Sequence, residues 1–368
     1  MTEPSKRLAI FLPNAGGGGA ERSMLKLARG ISGRGYTVDL VLARRFGKLL
    51  GEVPKSVSVV DLNARRALTS LPGLVRYLRS EQPEALLSVL HTNIIALCAK
   101  LLAGVPTRFV VSERSTLSRQ TQQYKSDMRM RLMPLLARYL YPTADCITTV
   151  STGVAKDLTG VTGIPSERIR VLYNPIVTPE LQEKAQLPLN HPWFEPGEPP
   201  VILAVGRLGA EKGFSTLIKA FAQVRLARHA RLLILGEGKE RAALEALVRT
   251  LGLNQDIDLP GFIENPYPYM VRASLFVLSS EWEGLPGALI EALYFGVPVI
   301  ASDCPSGPRE ILADGRYGQL VPSGDAAALA RAIENGLDGK SPFPSRESWR
   351  PFELDTVVNQ YIDVLFGS

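Results

Sequence analysis

The sequence predicts an α/β protein built from two doubly wound parallel sheets joined by a linker. Three observations carry that expectation. Short apolar runs alternate with helix-period stretches through both halves of the chain, which is the pattern of parallel strands covered by helices. Between the halves, Pro175, Pro179, Pro188, Pro192, Pro196, Pro199 and Pro200 crowd one stretch, a density that disfavours helix and sheet and marks a connection. The length, 368 residues, suits two domains of ordinary size.

Taken in order, Leu8–Leu12 predicts a strand, Gly16–Gly19 a turn, and Ala20–Ala28 a helix with apolar residues at helical spacing. Further strands are expected at Tyr36–Ala43, Val57–Leu62, Ala85–Leu90, Phe109–Val111 and Cys146–Val150. Arg119–Tyr141 interleaves Arg119, Lys125, Arg129, Arg131 and Arg138 with Met128, Met130, Leu132, Met133, Leu135, Leu136 and Leu140. This reads as a basic amphipathic segment that Pro134 should split into two helical pieces. The second half repeats the plan. Strands are predicted at Pro200–Gly206, Leu232–Gly236, Ile257–Leu259, Leu275–Leu278 and Val297–Ala301, with helices at Phe214–Arg228, Lys239–Leu251 and Gly287–Phe295. An amphipathic helix over Glu353–Phe366 closes the chain. The division is therefore a first domain over 1–175, a linker over 176–199, a second domain over 200–350 and a terminal helix within 351–368. Two such domains facing each other would leave a cleft at the carboxyl ends of both sheets.

Composition narrows the function classes. With 45% hydrophobic and 21% charged residues the chain has apolar material for two cores, which excludes a disordered protein. No heptad is sustained and no glycine period appears, so coiled-coil and collagen-like readings fail. The polar start, Met1–Arg7, predicts no secretory signal. Cys98, Cys146 and Cys304 are scattered, which is neither a disulfide framework nor a zinc pattern and fits a reducing cytosol. Leu86–Val105 has about the length of a membrane span, yet it opens as a strand and carries His91, Thr92, Asn93 and Lys100. A buried strand followed by a buried helix is the better reading. Residues 1–175 hold 25 Lys and Arg against 12 Asp and Glu, a balance of +13, whereas 176–368 hold 17 against 24, a balance of −7. The first half is thus expected to meet something anionic: nucleic acid, lipid or a phosphorylated substrate.

Chemistry-bearing residues cluster at predicted strand ends. Glu283 and Glu291 lie eight residues apart, the first on a loop and the second on the helix that follows. Amides at that helix start, around Gly287, Ala288 and Leu289, suit an anion such as a diphosphate. The loop carboxylate suits sugar hydroxyls and the helical one a ribose, about two turns bringing Glu291 back to the same face. Two solvated glutamates at an ordinary junction would give the same pattern. In Gly206-Arg207-Leu208-Gly209-Ala210-Glu211-Lys212-Gly213, the cations Arg207 and Lys212 flank a loop at the carboxyl edge of the sheet. Arginine grips phosphate oxygens bidentately and lysine adds a compact second charge.

Gly18-Gly19-Ala20-Glu21-Arg22, the Arg207/Lys212 loop and the Glu283-to-Glu291 element, in this order, resemble the GT4 family of retaining, nucleotide-sugar-dependent glycosyltransferases with the GT-B fold. The resemblance spans nearly the whole chain. It implies two facing Rossmann-like domains, a donor held mainly by the second, no metal requirement, and a terminal helix that returns to the first domain. Arg207 and Lys212 match the donor-diphosphate positions, Glu283 the contact to donor sugar hydroxyls, and Glu291 the ribose contact; Glu283, Arg207 and Lys212 are the catalytic candidates. Gly284, Leu285, Gly287, Ala288 and Leu289 belong to the same donor loop and helix start. Phe262 and Ile263 match the turn whose backbone reads the base. Gly18 and Gly19 match the loop that closes over the phosphates. Ser302–Glu310 resembles a variant found in members that transfer galactose-type or N-acetylhexosamine residues.

One departure concerns the histidine that many members carry after the strand ending here at Val111. This chain has Ser112-Glu113-Arg114-Ser115, so Glu113 or Arg114 is expected on the acceptor side, with Lys125, Arg129 and Arg131 as further candidates. His91 reads as a packed or loop residue. Asp256-Ile257-Asp258 imitates a metal-binding pattern but opens a strand, and His191 and His229 lack ligand-spaced partners, so no metal site is expected. A dehydrogenase reading of Gly16–Gly19 fails because the second strand ends Ala43-Arg44-Arg45, without the acid that holds a ribose. The expectation is a hexosyltransferase with a nucleotide sugar, UDP-linked by preference, as substrate, and no separate cofactor. Its acceptor would be a glycan, lipid-linked or a lipopolysaccharide or polysaccharide precursor, at the cytoplasmic membrane face, with an anionic membrane surface as a partner and no nucleic acid. A sugar-nucleotide epimerase of similar fold and a non-catalytic nucleotide-sugar or nucleic-acid binding module are the alternatives.

Overall fold

The structure, a computed structural model, describes residues 6–123 and 127–367, and of Arg129 the backbone alone. The chain divides into two compact units, one formed by residues up to Ile176 together with Phe352 onward, the other by Val177–Pro351.

The first unit runs β1 (Arg7–Leu12), α1 (Gly19–Ser32), β2 (Thr37–Leu42), β3 (Val57–Asp61), α2 (Leu71–Glu81), β4 (Ala85–Val89), α3 (Thr92–Ala103), β5 (Arg108–Glu113), α4 (Leu117–Gln123), α5 (Met128–Leu140), β6 (Cys146–Thr149), α6 (Thr152–Thr162) and β7 (Ile169–Val171). Its seven strands are parallel in the order β3-β2-β1-β4-β5-β6-β7. Leu8 to Leu12 and all of β4 are buried, because helices cover both faces of the sheet, and such strands read as continuous apolar runs. The would-be membrane span Leu86–Val105 is β4 followed by α3, and no helix among the described residues is long and apolar enough to cross a membrane. Met24, Leu27 and Ile31 of α1 pack on Leu8, Ile10 and Leu12.

The second unit runs α7 (Glu180–Ala185), β8 (Val201–Val205), α8 (Phe214–Ala227), β9 (Arg231–Leu235), α9 (Arg241–Thr250), β10 (Ile257–Gly261), α10 (Tyr267–Met270), β11 (Leu275–Leu278), α11 (Gly287–Tyr294), β12 (Val299–Ser302), α12 (Pro308–Ile311), β13 (Gln319–Val321), α13 (Ala326–Leu337) and α14 (Arg346–Trp349). Its six parallel strands follow the order β10-β9-β8-β11-β12-β13. The final helix, α15 (Leu354–Phe366), belongs to the first unit. Its Val357, Val358, Tyr361, Val364 and Leu365 join the α1 core, each worth about 1.5–3 kcal/mol of burial when large and fully enclosed. Gly30 permits that contact, since a Cβ there would lie 2.5 Å from Val358 Cγ2.

Two expectations are corrected. The proline-dense stretch does contain a helix, α7, because Pro179 occupies its N-cap, where a missing N–H costs nothing, and no further proline intervenes before Pro188. Pro134 does not split its helix; α5 continues through it. The proline ring deprives the Met130 carbonyl of its helical N–H donor; Thr121 Oγ1 lies 3.4 Å from that oxygen but gives its one proton to Leu117 O at 2.8 Å, and α5 is held through the proline by its packing against α3, α4 and α6.

In each unit the strand order reverses beside the first strand, between β1 and β4 and between β8 and β11. At such a point the loops leaving the two strands diverge and open a crevice at the carboxyl end of the sheet.

Candidate functional site

In the second unit the loops after β8 and β11 touch through backbone. Gly213 has φ +60°, and a Cβ there would fall 2.1 Å from Ser279 O, so only glycine permits the contact. Ser279 Oγ donates to Lys212 O at 2.8 Å, and Glu281 N donates to Glu211 O at 2.8 Å. The stitching sets Lys212 Nζ 2.6 Å from Glu283 Oε1, which also accepts from Ser280 Oγ at 2.6 Å. Glu283 is 9% exposed, a nearly buried carboxylate held by a cation and a hydroxyl at the switch point of the sheet. Arg207 projects outward, its Nε donating to Glu211 Oε1 at 3.1 Å. Each cation is thus already oriented by a carboxylate partner.

The donor loop is held from below. Ser306 Oγ donates to Gly284 O at 3.1 Å, Glu283 N to Pro305 O at 3.3 Å, and Leu285 is buried. Pro286, at the N-cap of α11, supplies no side-chain hydrogen bond to the first turn, Gly287, Ala288 and Leu289, which begins four residues after Glu283. Glu291, one turn further, accepts from Tyr267 Oη at 3.1 Å. Phe262, 52% exposed, and Ile263 follow Gly261, whose φ of +96° ends β10. Burial pushes the Cys304 thiol up to about 12, reinforced by the Glu283 charge and opposed by Lys212. Asp256 pairs with Arg225 and Arg231 at 3.0 and 2.9 Å, and Asp258 lies 3.6 Å from His191 Nε2. Among the described residues no three His, Cys, Asp or Glu side chains gather as a metal site.

In the first unit, Gly18 is the N-cap of α1, and a Cβ on it would meet Glu21 Oε2 at 2.6 Å, whereas a Cβ on Gly19 would meet nothing within 4 Å. The pair Glu113 and Arg114 divides. Arg114 turns inward, its Nη2 bonded to Asn174 Oδ1, and burial pulls its guanidinium below the ordinary value despite the Tyr361 hydroxyl beside it. Glu113 lines a cavity of about 320 Å3, into which His91, exposed at the start of α3, also faces. Of the two readings of His91, packed or loop, the structure shows the loop: it is exposed in the turn between β4 and α3 and borders the cavity. Glu113 Oε2 accepts from Tyr141 Oη at 2.9 Å and Oε1 from Arg114 N at 3.1 Å. Burial pushes the Glu113 carboxyl up to about 7, with hydrogen bonds from Tyr141 and from the Arg114 and Ser115 amides opposing. Arg131 is exposed on α5; Lys125 and the Arg129 side chain lie outside the described residues.

Sequence reasoning passed over Ser280, Glu211 and Tyr267, the side chains that orient the predicted ones. Glu211 stands four residues after Arg207, a spacing at which opposite charges can meet; Ser280 and Tyr267 leave no comparable trace in the sequence.

Comparison with known proteins agrees with this architecture. Residues 17–179 match the family model Glycosyltransferase Family 4, and residues 189–351 match Glycosyl transferases group 1. An N-acetylgalactosamine-N,N'-diacetylbacillosaminyl-diphospho-undecaprenol 4-alpha-N-acetylgalactosaminyltransferase of Campylobacter jejuni is 31% identical over 348 residues, covering 90% of each chain. The lipopolysaccharide core biosynthesis glycosyltransferase LpsE of Rhizobium meliloti is 32% identical over 53% of this chain and 56% of its own. Anabaena HepE, solved with UDP and glucose, superposes with a TM-score of 0.77 at 18% identity over 98% of this chain and 99% of its own. Two parallel doubly wound units, a lysine–glutamate pair at the second switch point, and homology along nine-tenths of the chain lead to one conclusion: this chain belongs to the GT4-type glycosyltransferases of the GT-B fold.

Proposed function

We propose that this glycosyltransferase moves a hexose or N-acetylhexosamine, with retention of anomeric configuration and without a metal, from a UDP-sugar to a lipid-linked or lipopolysaccharide-type glycan precursor. The observation that carries the reading is the Lys212–Glu283–Ser280 cluster on the loop that leads into α11, whose N-cap supplies no side-chain hydrogen bond. As the bond from sugar to diphosphate breaks, negative charge grows on the leaving phosphate. Arg207, Lys212 and the α11 amides stand ready to stabilise that charge, an effect that grows where water is excluded. Glu283 would accept from donor sugar hydroxyls, Glu291 from the ribose, and the backbone at Phe262 and Ile263 would read the base. The acceptor hydroxyl would enter on the face the phosphate leaves, whose oxygen takes its proton, so no protein nucleophile is needed.

The acceptor class draws support from the undecaprenol-linked substrate named for the Campylobacter relative and from α5. Along that helix Met128, Leu132, Leu135 and Tyr139 are exposed at 68%, 47%, 52% and 68%, spaced so that they share one face, with Arg131 and Arg138 exposed nearby. Such a face suits the surface of an anionic bilayer on the cytoplasmic side, with each nearby cation adding about 1 kcal/mol. The test is a panel of UDP-sugars against polyprenyl-diphosphate-linked and lipopolysaccharide-type acceptors, read by product mass and by anomeric configuration. Transfer from at least one UDP-sugar with retention is expected; UDP-sugar epimerisation without transfer, or no turnover and no thermal shift with UDP, overturns the reading. Sedimentation with anionic but not neutral liposomes, lost at high salt or on changing Lys125, Arg129 and Arg131 together to Glu, tests the membrane arm.

A further inference from the structure

Glu291 does not stand alone on α11. Tyr267 Oη donates to its Oε1 at 3.1 Å, and the ring of Tyr267 lies tilted against Phe295, just past the helix, with centroids 5.7 Å apart. The phenol comes from the segment that follows Phe262 and Ile263, 24 residues before Glu291 in the chain. That segment is itself fastened. Asn265 Oδ1 accepts from Tyr267 N at 3.4 Å, the turn that an asparagine side chain makes with the backbone two residues on. Asn265 Nδ2 donates to Lys184 O at 2.8 Å, in the last turn of α7, where carbonyls have no helical donor. Pro266 and Pro268 flank the tyrosine, and each ring fixes its own φ. A line of bonded groups thus runs from α7 through Asn265 and Tyr267 to Glu291.

Such a line changes what the carboxylate can do. A glutamate side chain rotates between staggered wells, and ordering it costs entropy at the moment of binding. Here the phenol meets that cost during folding, through a hydrogen bond to an ionised acceptor, roughly twice as strong as one between neutral groups. Both residues are half-buried, so salt screens the pair less than it would at an open surface. A carboxylate offers about four lone-pair sites on its two oxygens, so one phenol leaves capacity for the two hydroxyls of a ribose. A mobile carboxylate would turn toward whichever hydroxyl remained on an analogue that lacked one. A fixed carboxylate rejects that analogue, because the oxygen aimed at the missing group is left unpaired.

We propose that Tyr267, held by Asn265 and α7, is a positioning residue that aims Glu291 at both hydroxyls of the donor ribose and so makes the site select ribonucleotides over 2′-deoxyribonucleotides. The proposal rests on the reading of Glu291 as the ribose contact of a UDP-sugar transferase. Its test compares UDP with 2′-deoxy-UDP by calorimetric titration of the full chain and needs no acceptor; the urea midpoint of the second unit reports that each variant is folded. The parent is expected to bind UDP about tenfold or more tighter than 2′-deoxy-UDP. In Tyr267→Phe, which keeps the ring against Phe295, UDP affinity is expected to fall about fivefold to tenfold and 2′-deoxy-UDP affinity less than about twofold, so the discrimination narrows. Asn265→Asp still accepts from Tyr267 N but cannot donate to Lys184 O, and a smaller narrowing is expected there. In Glu291→Ala the discrimination is expected to vanish, and adding Tyr267→Phe should change UDP affinity less than about twofold. No UDP binding by the parent removes the transferase reading and the proposal with it. A parent that binds UDP and 2′-deoxy-UDP alike, equal losses for both nucleotides or undiminished discrimination in a folded Tyr267→Phe protein, or a full Tyr267→Phe effect in the Glu291→Ala background overturns the positioning role alone.

Discussion

At the carboxyl ends of β8 and β11, charge meets opposite charge: Lys212 reaches Glu283 and Arg207 reaches Glu211. At the end of β5 in the first unit, Glu113 is held by a phenol and by backbone amides, and the charge that acts on it most is the like charge of Asp157. One sheet topology thus carries two kinds of carboxylate. The paired one sits within a loop cluster suited to phosphate and sugar hydroxyls, while the unpaired one has its pKa moved toward neutrality by burial. The difference follows from the connecting segments. In the second unit two loops touch through a glycine and bring opposite charges together; in the first, helices α4 and α5 cover the strand end with methionine and leucine.

The largest expected effect is on that glycine contact. Gly213→Ala forces a Cβ onto Ser279 O at φ +60°, and should lower stability by about 3 kcal/mol or more, read from the urea midpoint of the second unit. A variant as stable as the parent would show that the two loops part without cost.

Next comes pH. The Glu113 carboxyl is raised from 4.5 to about 7 in the folded chain, facing Tyr141 and Asp157 and, across the cavity, His91 and Asp127. The native state therefore favours its protonated form. Its contribution to stability is full below about pH 4.5 and is lost as pH rises through about 7, a change of about 3 kcal/mol. Glu113→Gln should remove that slope, so urea midpoints of parent and variant should differ most in their change between pH 5 and 8. Parallel curves would refute the buried, unpaired assignment.

Smaller still is the catalytic effect of breaking the ion pair. Lys212→Ala deprives Glu283 of its cation and should slow transfer at least about tenfold, since a charged hydrogen bond is worth about 1.5–3 kcal/mol. Glu283→Gln should reduce transfer more than it reduces binding of UDP alone, because UDP lacks the sugar. Equal losses in both would place Glu283 away from the sugar.

The smallest effect is on stability at Gly19. Nothing lies within 4 Å of a Cβ there, so Gly19→Ala should change the melting free energy by no more than about 0.5 kcal/mol. A drop in transfer without a drop in stability would tie the bare backbone to phosphate approach; a marked loss of stability would make Gly19 a purely structural glycine, like Gly213.

The sequence by itself determined the two doubly wound sheets, because strands buried on both faces must be apolar throughout and their helices must repeat at helical spacing; β1, β4, β8 and β11 all stand where the runs placed them. It also placed Arg207, Lys212 and Glu283 on loops at strand ends and Glu291 on the helix that follows, which is where they stand, Lys212 beside Glu283. It missed β7 and β13, three residues each, too short to show a period. It expected Pro134 to break α5, whereas the helix runs through it, held by packing against α3, α4 and α6 that local sequence does not record. Strand alternation places Glu113 and Arg114 on opposite sides, yet only packing decided which side faces the cavity. Asn174 and Tyr361, far along the chain, draw Arg114 inward, and Tyr141 fixes Glu113 beside His91. Such partners are distant in sequence and meet only once the chain has folded, so local pattern carries no record of them.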